Sequence, residues 1–95
     1  MSELIARVSC GDQDAFGRFY DATSRMVFGM ALNVSTDRTQ AEAMTQEVFV
    51  AAWRSAPNFD ASVWAPSAWL VSITRKEIAR MFRLSAKRSS AGVIS

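Results

Sequence analysis

The stretch RTQAEAMTQEVFVAAWRS, residues 38–55, carries the strongest helical pattern of the chain. Residues three and four positions apart share one face of an α-helix, and the apolar residues of this stretch recur with that spacing. They are Met44, Val48, Phe49, Ala52, Trp53 and, just beyond the stretch, Ala56. Pro57 should end the helix, because the residue before a proline avoids helical geometry. The stretch therefore predicts a helix with one buried face.

The segments before this helix have the same periodicity. Ser2 is a candidate cap for a short first helix, which Gly11 should end. Asp12 can cap a second helix, whose apolar stripe resumes beyond residues 21–24. These four residues either interrupt the second helix or kink it. Gly29, which lies in the resumed stripe, indicates close packing between helices.

The C-terminal third of the chain predicts one more helix. Pro66 can occupy its first turn, where a missing N–H costs nothing, and helical periodicity continues to about Lys87. No segment has the alternation typical of a strand. We therefore predict an all-α fold, a compact bundle of four to five helices, with residues 1–88 as one domain and residues 89–95 as a disordered tail.

Composition narrows the class of protein. The 95 residues, 49% of them hydrophobic, suffice for one domain that folds alone. The absence of histidine removes the usual general base and the commonest metal ligand, and the single cysteine, Cys10, cannot form an internal disulfide. The sequence contains neither a signal peptide nor an apolar run long enough to span a membrane. We expect a cytoplasmic protein that is not an enzyme and uses no cofactor or metal.

Charge is divided unevenly along the chain. Residues 1–60 carry eight acidic and five basic residues, whereas residues 61–95 carry six basic residues and one acidic residue. Four of the bases lie three or four positions apart on one face of the last predicted helix, and Trp69 lies on the same line; the bases are Lys76, Arg80, Arg83 and Lys87. A basic stripe with an aromatic residue is typical of nucleic-acid binding. The alternative is that Trp69 belongs to the core and the bases are merely solvated.

Two smaller features are further candidate sites. Phe59 and Trp64 lie in a predicted loop, where they either hold an unstacked base or plug the end of the bundle. Glu42 and Gln46 lie one helical turn apart in the strong helix, and Glu47 follows them. This polar patch fits a basic protein surface, although a polar helix face needs no partner.

The order and spacing of several motifs resemble a known family. AEAMTQEVF at residues 41–49, AWR at residues 52–54 and AWL at residues 68–70 are similar to the second conserved region of bacterial extracytoplasmic-function (ECF) sigma factors. GDQDAF at residues 11–16 resembles the opening segment of that region. The similarity extends over nearly residues 3–88.

This resemblance implies two binding surfaces. The helix with Glu42, Gln46 and Glu47 would dock on the clamp helices of the β′ subunit of core RNA polymerase. The loop and the last helix would read and melt the minus-ten promoter element and hold its single-stranded non-template strand. The residues implied in DNA binding are Asn58, Phe59, Trp64, Trp69, Arg75, Lys76, Arg80, Arg83 and Lys87. The family further implies an anti-sigma factor as a partner.

The chain also departs from the family pattern. Ala43 stands where the family commonly has an aspartate of the polymerase-docking surface, so we expect weaker binding to polymerase. Glu77 follows Lys76, and Arg80 replaces an expected aspartate, which bears on promoter specificity. We find no counterpart of the second helical domain, region 4, and expect either an excised domain or a truncated relative.

Two other classes of function stay open at this point. One is a sigma-like interaction domain that binds polymerase or an anti-sigma factor without reading DNA. The other is an enzyme with carboxylates as acid and base, for which the candidates are Asp12, Asp14, Glu42 and Glu47. We rank the enzyme last, because no carboxylate pair forms a motif and no glycine-rich phosphate loop exists.

Overall fold

The computed structural model describes the backbone of residues 1–94 and the side chains of residues 1–84. It contains four α-helices: α1 (Ser2–Ser9), α2 (Gln13–Val34), α3 (Arg38–Ser55) and α4 (Pro66–Ile94). A 3₁₀ turn, Ala56–Asn58, follows α3, and the described residues include no strand. The all-α prediction is confirmed, and the number of helices agrees with it.

The caps of the first two helices agree only in part with the sequence. Ser2 is not a cap: Met1 precedes the helix, and its carbonyl already accepts the N–H of Ile5 at 3.2 Å. Gly11 has φ +85°, a left-handed conformation that glycine adopts without a steric penalty. Asp12 caps α2 as predicted, because its Oδ1 accepts the N–H of Ala15 at 3.0 Å.

Helix α2 is continuous over residues 21–24, so these residues do not interrupt it. The hydroxyl of Thr23 donates to the carbonyl of Phe19 at 2.7 Å, so this polar residue is satisfied inside the helix. The inference from Gly29 was wrong. It is exposed, and a Cβ added there would meet no atom within 4 Å, so no other helix packs closely against it.

Helix α3 has the predicted bounds, but the physical cause of its C-terminal end differs from the one predicted. Asp37 caps it by accepting the N–H of Gln40 at 2.8 Å. Ala56, which precedes Pro57, keeps helical dihedral angles (φ −52°, ψ −40°). The α-helix therefore ends because Pro57 has no N–H to donate, not because the preceding residue leaves helical geometry.

The core is formed chiefly where α3 meets the other helices. The predicted face of α3 is buried, except that Trp53 is only half-buried. In α4, Leu70 and Ile73 join this core, and a smaller cluster forms around Met44 with Ile78 and Met81. The two buried threonines, Thr45 and Thr74, each donate to the carbonyl four residues earlier at 2.8 Å. Burial of these hydroxyls therefore leaves no hydrogen bond unmade.

Helix α4 extends farther than the sequence indicated. It reaches Ile94, whereas its predicted end lies near Lys87. The division of the chain into a domain of residues 1–88 and a disordered tail of residues 89–95 stays a prediction. No proline lies in this part of the chain, so no backbone N–H is missing from the helical ladder. None of the described helices has the length and apolar character needed to cross a membrane.

Candidate functional site

The three residues implied in polymerase binding all lie on the exposed face of α3. Glu42 forms an ion pair with Arg38, with 3.3 Å between Oε1 and Nε. Consecutive residues of an α-helix are about 100° apart around its axis, so Gln46 and Glu47 point in different directions. Gln46 borders the groove toward α2, whereas Glu47 borders the groove toward α4. The structure places all three on one face but along its two opposite margins.

The groove between α2 and α3 is larger and more apolar than the sequence indicated. Its apolar part has a volume of about 390 Å³ and is lined by Phe16, Tyr20, Gln46, Phe49, Val50 and Trp53. A neighbouring polar part of about 370 Å³ contains Arg25, Arg38 and Glu42. Trp53, which the helical spacing predicts to be buried, is only half-buried beside this groove. The width of the apolar stripes of α2 and α3 is the feature of the sequence that could have indicated this groove, because one neighbouring helix does not cover a stripe that wide.

An ion cluster links α3 to α4 at the other margin. Arg80 Nε donates to Glu77 Oε2 at 2.9 Å, and Arg80 Nη2 donates to Glu47 Oε2 at 3.3 Å. The side chain of Arg80 is 43% exposed, that of Glu47 is 50% exposed, and that of Glu77 is 18% exposed. We call these three residues the α3–α4 ion cluster. It joins a residue implied in polymerase binding to one implied in DNA binding.

The loop between the 3₁₀ turn and α4 is held by a tight turn. Asp60 Oδ1 accepts the backbone N–H of Ser62 at 2.9 Å and its hydroxyl at 2.6 Å. These bonds to Ser62, the hydroxyl first, lower the pKa of the Asp60 carboxyl from its ordinary value of 3.8. The N–H groups of Val63 and Trp64 both donate to the Asp60 carbonyl at 3.0 Å. Trp64, the aromatic residue at the end of this turn, is 39% exposed. The turn therefore holds an aromatic side chain at the surface.

Trp69 lies in the core and does not continue the basic stripe. It is 7% exposed, and its ring lies 5.2 Å from that of Phe59 and 6.3 Å from that of Phe19. Trp69 and Lys76 do lie on the same line along α4. However, Phe19 and Phe59 cover the line at Trp69, whereas it is exposed at Lys76. Trp69 offers little surface on which a base could stack. Phe59 is half-buried against it and partly plugs the end of the bundle.

The remaining residues implied in DNA binding are exposed wherever the structure describes them. Arg75, Lys76 and Arg83 form no salt bridge with any described side chain, in contrast to Arg80. Asn58 is exposed at the end of the 3₁₀ turn. The side chain of Lys87 lies outside the described residues.

These features define a small helical module with a polar and apolar exposed face on α3 and a basic exposed side on α4. The model of the family described as Sigma-70 region 2 matches residues 19–88. The chain belongs to this family of non-enzymatic transcription initiation factors.

Relatives agree with this membership. An ECF RNA polymerase sigma factor SigK of Mycobacterium ulcerans (strain Agy99) is 34% identical over 76 residues, which are 80% of this chain and 41% of that protein. The SigK of Mycobacterium bovis (strain BCG / Pasteur 1173P2) is 36% identical over the same shares of the two chains. The SigK of Mycobacterium sp. (strain KMS) is 36% identical over 77% of this chain and 38% of its own length. The chain thus spans about two fifths of these relatives, which support a sigma-factor role. No solved structure matches it.

Proposed function

We propose that the chain is the promoter-recognition module of an alternative sigma factor. It binds core RNA polymerase through the exposed face of α3 and recognises and melts the minus-ten promoter element through the loop and α4. Melting needs no catalytic residue, because binding of the displaced bases compensates for their lost stacking and pairing. In this proposal the module acts in the cytoplasm, and an anti-sigma factor competes for the polymerase-docking face.

The observation that carries the DNA part of the proposal is the exposed, unpaired set of cations on α4. Arg75, Lys76 and Arg83 have no carboxylate partner among the described side chains. Cations without protein partners can neutralise phosphates without first breaking an ion pair. Trp64 adds an exposed aromatic surface in the loop that precedes α4. Single-stranded DNA is bound by this combination of charge and aromatic stacking.

The polymerase part is supported by the form of the α3 face. Gln46 lies beside an apolar groove that includes the exposed Val50, and the carboxylates of Glu42 and Glu47 lie on either side. An apolar centre with a polar margin is the common anatomy of protein interfaces. The carboxylates favour a partner surface that carries basic residues.

The DNA part is tested with fluorescent single-stranded oligonucleotides that contain minus-ten sequences, with core polymerase present and absent. Trp64→Ala should weaken binding roughly 5- to 150-fold, because one base stacked on an aromatic residue contributes about 1–3 kcal/mol. Val63→Ala is the control in the same loop, since Val63 is 70% exposed and has no ring. Equal binding by wild type and Trp64→Ala would contradict the assignment of the loop.

The polymerase part is tested by co-purification with the core enzyme. Gln46→Ala and Glu47→Gln should weaken co-purification without changing the helical circular dichroism spectrum. Glu3→Gln, an exposed carboxylate on α1, is the matched control. Undiminished co-purification of both α3 variants would refute the docking surface.

One observation favours the alternative of a sigma-like interaction domain. Arg80, which replaces an expected aspartate, forms ion pairs with Glu47 and Glu77, and these carboxylates compete with DNA for it. The alternative predicts that the chain co-purifies with polymerase or an anti-sigma factor but binds all oligonucleotides equally. A preference for minus-ten sequences in the presence of polymerase would exclude it.

A further inference from the structure

The α3–α4 ion cluster joins two surfaces that are far apart in the sequence. Glu47 and Arg80 are separated by 33 positions, yet they form a hydrogen-bonded ion pair. Glu77, on the same helix as Arg80, holds the same guanidinium at 2.9 Å. One cation therefore faces two carboxylates from two different helices.

This geometry changes what Arg80 contributes to the charge of α4. Together with its two carboxylates, Arg80 forms a group whose formal charge is −1, whereas Arg83 forms no salt bridge among the described side chains. A phosphate must compete with both carboxylates before it can bind Arg80. The low exposure of Glu77, 18%, makes that partner harder to displace than a solvated one.

We propose that Glu47 and Glu77 compete with DNA for Arg80 in the free chain, and that a basic partner residue that binds Glu47 removes one of these two competitors. This inference rests on the proposed function and deepens it. Glu77 acts as a positioning residue, because it directs the Arg80 guanidinium toward α3. Binding on α3 and binding on α4 then become linked equilibria, and the linkage is reciprocal.

The expected size of the effect is modest, because all three side chains reach solvent. An exposed ion pair contributes little free energy, so DNA must overcome only a small competing free energy to bind Arg80. We therefore expect the cluster to change DNA affinity about two- to fivefold. The salt dependence is the more specific readout. Each additional phosphate contact on a single strand steepens the plot of log affinity against log salt by about 0.7.

The experiment measures affinity and salt slope for a single-stranded oligonucleotide with four variants of the full chain. Arg83→Gln should flatten the slope by about 0.7, whereas Arg80→Gln should flatten it by clearly less, because two carboxylates compete with DNA for Arg80. Glu77→Gln and the double substitution Glu47→Gln with Glu77→Gln should raise affinity, and the double substitution should steepen the slope by about 0.7.

Removal of any carboxylate makes the net charge of the chain more positive and so raises its affinity for DNA in general. Two controls separate this general effect from that of the α3–α4 ion cluster. Glu42→Gln removes a carboxylate from the same helix that faces Arg38 rather than Arg80. Its effect should be the same with and without Arg80→Gln. The gain from Glu47→Gln and Glu77→Gln should disappear when Arg80→Gln is added, which is the non-additivity expected of groups in contact.

The linkage is tested from the other side with core polymerase. Arg80→Gln leaves Glu47 unpaired and should strengthen co-purification about two- to fivefold, whereas Arg83→Gln should not. If Arg80→Gln flattens the salt slope as much as Arg83→Gln, or if the carboxylate gains persist without Arg80, the inference is wrong while the proposed function stands. If the wild-type chain binds no DNA with polymerase present or absent, both fail.

Discussion

The burial of Trp69 gives the sharpest prediction about how the module is built. Trp69 is 7% exposed and packs edge-on against Phe59 and at a tilt against Phe19. Truncation of a buried tryptophan to alanine costs about 3–5 kcal/mol, because transfer energy is lost and a cavity remains. A 95-residue domain has a total stability of about 5–14 kcal/mol. Trp69→Ala should therefore remove a large part of the stability of the whole domain.

The assay is urea unfolding followed by circular dichroism at a helical wavelength. With a slope of about 1–3 kcal/mol per molar urea, the Trp69→Ala midpoint should fall by at least about 1 M. Trp64→Ala is the matched control, since Trp64 is 39% exposed and lies in the loop. Its stability should change by less than about 1 kcal/mol.

A milder substitution separates the core role from a role in DNA binding. Trp69→Phe keeps a ring in the core and should retain both the fold and the affinity for single-stranded DNA. If Trp69→Ala were as stable as wild type and bound DNA poorly, Trp69 would be an exposed stacking residue and the assignment to the core would be wrong.

Two further predictions concern backbone conformation and pH. Gly11→Ala should destabilise the domain by about 1–2 kcal/mol, because the φ of Gly11 is +85°. Gly29→Ala should stabilise the domain by about 0.5–1 kcal/mol, because Gly29 is exposed inside a helix. Equal effects of the two substitutions in thermal unfolding would contradict this. The hydrogen bond from Ala15 N–H, together with Arg7, lowers the pKa of Asp12 below 3.8 in the folded chain. The stabilisation by Asp12 is then complete above pH 3.8 and is lost as the pH falls through the lower folded pKa, so the midpoint difference between wild type and Asp12→Ala should shrink in acid. A difference that is constant down to about pH 2 would rule out the carboxylate as its source.

The parts of the fold that the sequence predicted correctly depend on interactions between near neighbours. Asp12 caps α2, as predicted, through an N–H three positions away. The buried face of α3 follows from the spacing of its apolar residues. The prediction of Ser2 as a cap is wrong by one residue, which is the usual uncertainty of a helix boundary. The predicted end of α4 near Lys87 falls seven residues short of Ile94 (94 − 87).

The candidate site was predictable as a set of residues but not as an arrangement. Arg75, Lys76 and Arg83 are exposed, as is usual for charged side chains, which rarely enter a core unpaired; their binding to DNA stays a prediction. Trp69 was placed on their stripe because it lies on the same helical line. Its burial depends on Phe59 and Phe19, which come from elements distant in the sequence.

The sequence by itself determined an all-α fold of four to five helices, most of the helix boundaries, the buried side of α3 and the excess of basic residues in α4. These follow from local hydrogen bonding and from periodicity, which act over a few residues. Only the tertiary structure decided which aromatic rings are covered, which margin of α3 each polar residue borders and that Arg80 is neutralised by Glu47. The physical reason is that burial and ion pairing depend on the side chains that approach from other helices, and no spacing within one helix specifies them.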